Sequence, residues 1–325
     1  MKVLSLFDGI ATARYILNKL GIPIDAYYAS EVDKYAMMIA NKNFPDIKQI
    51  GDVQLVDGTE LGEIDLLVAG SPCQGFSFAG KQLNFNDHRS RLFFEFLRIK
   101  EECKPKYWML ENVVMKKEYQ AIISEYLGCE PIKFDAGLVS AQRRKRLYWT
   151  NIPDIEMPTT DNGMVVGDIL EDGYKAVGAK RGRYLVDGVR KDGQGKTTQR
   201  FELNKTLKSN TLTTVAKDNL ACKLVGMAED INGHDFLKRI YSVDAKCPTL
   251  TTCGGGNITR KIALDNIEYR ELTVTEYERL QGLPDGYTAL IMPNGRAMSK
   301  TQRRNALGNG WQADAVALIL KHLKD

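Results

Sequence analysis

The chain has 325 residues, 43% of them hydrophobic, and a formal net charge of +4. That length supports one substantial core with enough left for a smaller second domain, while so small a charge does not by itself indicate a nucleic-acid partner. There is no apolar run of bilayer length, and MKVLSLFDGI enters a strand pattern without a basic leader, so a soluble, unexported chain with no membrane contact is expected.

Six cysteines lack paired Cys-x-x-Cys spacing, and His88, His234 and His322 lie far apart, which argues against a disulfide framework and against a zinc site. Charge is distributed unevenly. Between Lys175 and Lys208 there are ten Lys/Arg against three Asp/Glu, and tight basic clusters occur at Arg143, Arg144, Lys145 and Arg146 and again at Lys300, Arg303 and Arg304.

In chain order, KVLSLF reads as a strand. The next segment sets Ala13, Ile16, Leu17 and Leu20 on one helical face until Gly21 stops it. AYYASEV is a second strand, followed by a helix from Asp33 that ends before Pro45. IDLLVAG is a third, apolar enough to be buried on both faces. A helix is expected from Arg91 to Cys103, then the strand YWMLENV, then a helix from Tyr119 to Leu127. This alternation predicts an α/β domain with a parallel-rich sheet and helices on both faces.

After about Pro153 the texture changes to glycine, threonine, lysine and short alternating runs with recurrent turn signals, through roughly Asp265. Residues 154–265 are therefore expected to form a separate strand-and-loop domain, and residues 1–153 plus 266–325 the larger one. Helical periodicity resumes near Thr275, and Ala313 to Leu323 should be a helix packing back on the larger domain.

Ligands of open α/β sheets sit beyond the carboxyl ends of the strands, which points to FDGIAT after the first strand. Its one glycine, Gly9, is too few to close backbone amides around a pyrophosphate, so a nicotinamide cofactor is disfavoured. Glu31 follows the second strand at the offset of a ribose-binding acid, and Asp52 in GDV reaches the same edge, where a carboxylate can accept from an adenine amino group. Taken singly, a glycine turn, a solvated acid and a capping Asp are the ordinary readings of these residues; their order on successive strand ends is what favours a cofactor site.

The sharpest chemical signal is GSPCQGFS, Gly70 to Ser77, directly after the third strand. Pro72 fixes a turn that presents Cys73, and a strand-end position near a helix N-terminus favours the thiolate, the attacking form of a cysteine. The long polar loop from Gln74 to His88 reads as a lid or binding loop. Glu111 and Asn112 end the next strand, beside Cys73 if the strands are neighbours. In QRRKRLYW, strand alternation sends Arg144 and Arg146 to one face and Arg143 and Lys145 to the other.

The ordered series FDGIAT, SEV, GDV, SPCQ, ENV, QRRKR, RELTVTEYERLQGLP and LGNGW spans nearly the whole chain and resembles the motif series of the DNA (cytosine-5) methyltransferase family. PCQ, RLQGLP and GNGW are nearest to bacterial and phage members, whereas FDGIAT, RLFFEF and ENVV are similar to the animal de novo subgroup. The resemblance implies a Rossmann-like sheet that binds S-adenosyl-L-methionine and releases S-adenosyl-L-homocysteine, a smaller target-recognition domain, and no metal. It implies a catalytic set of Cys73, Glu111, Arg144 and Arg146, with Cys73 adding to C6 of a flipped-out cytosine that is methylated at C5. Phe7, Asp8, Gly9, Ile10, Glu31, Val32, Asp52, Val53, Asn309 and Trp311 would form the cofactor site; Gln74, Ser77, Arg89, Arg143 and Arg260 would contact DNA. FDGIAT has fewer glycines than the commoner family form. The implied partner is double-stranded DNA met by a cytoplasmic monomer in a bacterial or phage-infected cell, with a cognate restriction endonuclease acting separately. The alternatives are a transfer-RNA cytosine-5 methyltransferase and a catalytically silent DNA-binding homologue.

Overall fold

The computed structural model describes residues 1–70, 91–171, 176–186, 189–190, 197–203, 208–212, 220–222, 240–242, 261–263 and 269–323. The chain divides into two compact units, one of Met1–Met164, Asn210–Thr214 and Thr273–Asp325, the other of Val165–Ser209 and Val215–Leu272.

The first unit is built on a mixed sheet of seven strands: β1 (Lys2–Leu6), β2 (Ala26–Ser30), β3 (Lys48–Gln49), β4 (Leu66–Gly70), β5 (Tyr107–Val113), β6 (Ile132–Asp135) and β7 (Lys145–Thr150). Their order is β3-β2-β1-β4-β5-β7-β6. The strands from β3 to β5 pair in parallel, whereas β7 runs antiparallel to both β5 and β6. The order reverses between β1 and β4, and in open α/β sheets ligands are expected beyond the carboxyl ends of the strands at such a reversal. FDGIAT leaves the end of β1, and β4, its parallel neighbour, ends at Gly70, the residue before SPCQ in the sequence.

The helices are α1 (Thr12–Lys19), α2 (Lys34–Asn43), α3 (Arg91–Cys103), α4 (Lys117–Leu127), α5 (Val274–Leu280), α6 (Lys300–Asn309) and α7 (Ala313–Leu320). Local chemistry explains their limits. Gly21, at φ 71°, closes α1 while Ile22 N donates to Leu17 O at 3.0 Å, the left-handed stop that lacks a Cβ penalty. Asp33 caps α2 by accepting from Tyr35 N and Ala36 N, and Gly128 ends α4 in the left-handed region. Reciprocal side-chain and backbone bonds open α5 (Thr273 with Glu276) and α6 (Ser299 with Gln302), each cap worth about 1 kcal/mol.

Helix α4 starts two residues before the expected Tyr119, because Lys117 and Glu118 form a polar first turn that apolar periodicity does not reveal. Helix α7 stops at Leu320 rather than Leu323. Its Asp314 pairs with Lys19 of α1 at 2.9 Å, which ties the last helix to the first. The core runs along the sheet through Leu4, Leu6, Leu67, Ala69 and Leu110 and is covered by Phe93, Phe96 and Ile99 of α3. No helix among the described residues is long and apolar enough to cross a membrane.

In the second unit, β8 (Ala176–Val186) is the spine of an antiparallel sheet. It pairs with β9 (Val189–Arg190), β10 (Thr197–Leu203) and β11 (Leu220–Cys222), and β11 pairs with β14 (Tyr269–Glu271). Strands β12 (Ile240–Ser242) and β13 (Lys261–Ala263) form a separate parallel pair.

Candidate active site

The loop after β1 is held in an uncommon conformation. Phe7, Gly9 and Ala11 all have positive φ, at 56°, 63° and 60°, and for the two non-glycine residues this is backbone strain that surrounding contacts must offset. Asp8 N donates to Ser30 O at 3.1 Å, and Gly9 N donates to Glu31 Oε2 at 2.8 Å. The other Glu31 oxygen, Oε1, accepts from Val32 N and Asp33 N, both at 2.8 Å. Glu31 thus fixes two strand-end loops at once, and a carboxylate's remaining lone pairs still allow it to accept from a ligand hydroxyl.

Next along the same edge, the Ser30 hydroxyl donates to Gly51 O at 2.8 Å and seats GDV beside Glu31. Asp52 caps a short 3-10 turn, accepting from Gln54 N at 3.0 Å. Val32 is 71% exposed, an open apolar face between these acids, whereas Ile10 and Val53 are buried with side chains packed inward. Phe7 packs on the edge of the core.

The Asp8 carboxyl is buried, with Oδ1 accepting from the Tyr27 hydroxyl at 2.6 Å. Burial raises its pKa to about 6, opposed by the Tyr27 bond and reinforced by the negative charge of Glu31. This cluster of acids suits a ligand carrying hydroxyls and positive charge and would repel phosphate. The described residues here therefore fit S-adenosyl-L-methionine, with its sulfonium, ammonium and ribose, better than a dinucleotide.

On the other side of the reversal point, β4 and β5 are hydrogen-bonded neighbours with Gly70 opposite Glu111, so the carboxyl group stands at the end of the strand that leads to SPCQ. Arg146 Nε lies 2.8 Å from Glu111 Oε1, and both side chains are close to nine-tenths buried. The pair is reached across the antiparallel β5-β7 register, in which Arg146 faces Val113 and Tyr148 faces Glu111. Arg146 Nη1 also donates to Lys145 O, so the head group is anchored twice.

Arg144 is buried and donates through Nη2 to Gly310 O at 2.7 Å, within LGNGW. It joins the QRRKR segment to the turn that carries Trp311. Trp311 in turn crowds Gly70: a Cβ there would sit 2.6 Å from the indole Nε1 and 3.5 Å from Glu111 Oε2, so only glycine admits this approach. Arg143 and Lys145 are exposed, while Arg144 is buried and Arg146 partly so, the alternation expected of the segment. Asn309 is exposed on the same turn.

Cys73, Gln74, Ser77, Arg89 and Arg260, together with the expected loop from Gln74 to His88, lie outside the described residues. Two further residues beside the site carry no motif signal strong enough to single them out by sequence: Tyr27 beneath Asp8, and Tyr287, whose hydroxyl donates to Ile10 O at 2.8 Å.

Residues 1–121 match the family model described as C-5 cytosine-specific DNA methylase. The chain is 28% identical over 347 residues to an orphan methyltransferase of Bacillus phage SPR, covering 94% of this chain and 74% of that protein. It is 27% identical over 352 residues to one of Bacillus phage rho11s, covering 82% and 70%. Among solved structures, a DNMT2 variant of Spodoptera frugiperda aligns with a TM-score of 0.61 at 16% identity, covering 99% of this chain and 98% of that one. The Entamoeba histolytica methyltransferase EhMeth aligns at 0.62 and 16%, covering 99% and 97%. At that identity the structural likeness shows a shared fold, and the first 121 residues are similar to the C-5 cytosine-specific DNA methylase family.

Proposed function

We propose that this protein transfers a methyl group from S-adenosyl-L-methionine to C5 of cytosine within a specific sequence of double-stranded DNA, through a transient adduct between Cys73 and C6. The observation that carries the reading is the Glu111–Arg146 pair, 2.8 Å apart between β5 and β7, with Glu111 opposite Gly70 at the end of β4.

A cytosine inside the duplex cannot offer its ring face to a side chain, so the base must leave the stack. The Cys73 thiolate then forms a bond to C6, and the displaced π electrons make C5 nucleophilic. Glu111 holds N3 and the exocyclic amine, and Arg146 holds the O2 edge, so that charge moving into the ring meets groups already in place. Bound S-adenosyl-L-methionine supplies an electrophilic methyl group. Phe7, Asp8, Gly9, Glu31, Val32, Asp52, Asn309 and Trp311 hold it. Loss of the C5 proton to water returns its bonding pair to the ring, the C6–S bond breaks, and Cys73 leaves as thiolate. Arg144 acts through the backbone of Gly310 as a positioning residue.

The second unit is assigned to target recognition, with the basic stretch from Lys175 to Lys208 meeting phosphates and side chains around Arg260 near the bases. The family match and the phage methyltransferase relatives favour DNA over transfer RNA. Incubating the chain with isotopically labelled cofactor and either duplex DNA or transfer RNA, then digesting to nucleosides, tests this. Labelled 5-methyldeoxycytidine from DNA alone is expected; label in RNA alone, or in neither, overturns the proposal.

A further inference from the structure

Tyr287 comes from the turn after α5, nearly the whole chain away from FDGIAT, yet it is buried against that loop. Its hydroxyl donates to Ile10 O at 2.8 Å and approaches Ala11 O at 3.4 Å. The ring meets Tyr15 of α1 edge-on, with centroids 5.7 Å apart, so the loop and the helix after it are gripped together. The tyrosine is itself fixed from behind: its carbonyl accepts from Lys42 Nζ at 3.3 Å and from Asn43 Nδ2 at 3.0 Å, both at the end of α2. The turn that delivers it is set by Gly282, whose φ of 71° ends α5 and which lies against Asp314, where a Cβ would meet the carboxylate at 2.5 Å.

These contacts fall where the backbone is least relaxed. Ala11 is a non-glycine residue in the left-handed region, and the two carbonyls facing the tyrosine hydroxyl belong to Ile10 and to Ala11 itself. Without an outside donor, such a segment would relax toward ordinary φ values and carry the Gly9 amide away from Glu31. Burial holds the Tyr287 hydroxyl far above its usual pKa, so it stays a donor throughout the working pH range.

We propose that Tyr287 is a positioning residue for the cofactor: its hydroxyl clamps the FDGIAT loop in its ligand-ready conformation and thereby sets the affinity for S-adenosyl-L-methionine. The inference rests on the cofactor reading above. It makes the segment after the second unit a determinant of a site assembled mainly from the first 52 residues, because Tyr287 OH, Gly9 N and Glu31 all act on one strained loop.

The test is Tyr287→Phe, which keeps the ring and removes only the donor. Binding of S-adenosyl-L-homocysteine to the full chain is followed by calorimetry well below the melting temperature, and turnover is measured against cofactor concentration. Loss of one buried donor should raise Kd and the cofactor KM by roughly three- to tenfold, with kcat at saturating cofactor and the KM for DNA little changed. A residue that only stabilised the fold would lower Tm and leave Kd unmoved, and that result overturns the inference. Should Tyr287→Phe fail to fold, Lys42→Ala removes an exposed anchor of the same carbonyl; a smaller rise in Kd supports the clamp, and an unchanged Kd overturns it. If the unaltered chain binds no S-adenosyl-L-homocysteine, the cofactor reading itself falls, and the clamp with it.

Discussion

Arg146 and Glu111 stand 2.8 Å apart on neighbouring antiparallel strands, with Glu111 opposite Gly70, the last residue of β4. An ion pair so little exposed costs desolvation, and it is worth keeping where both heads can be shared with a polar ring that arrives between them. Glu111→Gln should lower kcat by roughly a hundredfold or more, as expected for a group that stabilises charge in the transition state, while DNA affinity changes only a few-fold. Single-turnover methylation alongside gel-shift titration checks this. An equal loss in both would assign Glu111 to binding alone.

Gly70 has room for nothing larger. Gly70→Ala would drive a methyl group into the Trp311 indole, so the ring must shift. Weaker cofactor binding and a changed tryptophan fluorescence spectrum are expected, with most of the thermal stability retained. An alanine variant with unaltered spectrum and Kd would show that Trp311 does not line the site.

Asp8 makes a pH prediction with a definite sign. Burial, offset in part by Tyr27, raises its pKa from 3.8 to about 6, so the folded state holds its proton more tightly than the unfolded state does. Stability from this group is therefore fully present below about pH 4 and is lost as pH rises through about 6. Asp8→Asn should match the unaltered chain in Tm near pH 4 and exceed it by a few degrees near pH 7 when no cofactor is bound. The same variant should bind the cationic cofactor more weakly at neutral pH. A Tm difference that does not change with pH would contradict the shift.

The strand-and-helix plan of the first unit was readable because apolar periodicity and caps there are strong. β4 is buried along nearly its whole length, Asp33 caps α2, and Gly21 stops α1, each as expected. The juxtaposition of Glu111 with the end of β4 needed one further fact, the pairing of β4 with β5, which no local pattern contains. Arg144 shows the limit more sharply. Strand alternation places it on the same face as Arg146, but its partner is a carbonyl 166 residues away, a contact created by the returning C-terminal segment. Tyr27 and Tyr287 were invisible for the same reason: a tyrosine hydroxyl matters through what the fold brings to it. β6 and the antiparallel edge it makes with β7 also escaped, since a four-residue strand carries too few alternations to register.

Salt should reveal the role of the basic stretch. If Lys175 to Lys208 meets phosphates, replacing Lys180, Arg181 and Arg183 with glutamine should weaken DNA binding and flatten the dependence of log K on log salt by about one unit per lost contact. An unchanged slope would remove these residues from the DNA interface.

The most direct test of the central claim is covalent. Duplex DNA bearing 5-fluorocytosine at the target position carries no C5 proton to lose, so once methylated it should stay bonded to the enzyme through Cys73. In the presence of S-adenosyl-L-methionine, a denaturation-resistant adduct of the summed mass of protein, DNA strand and methyl group is predicted, with the link mapped to Cys73 and absent in Cys73→Ala. Full methyl transfer by Cys73→Ala, or an adduct mapped to another residue, would contradict the account.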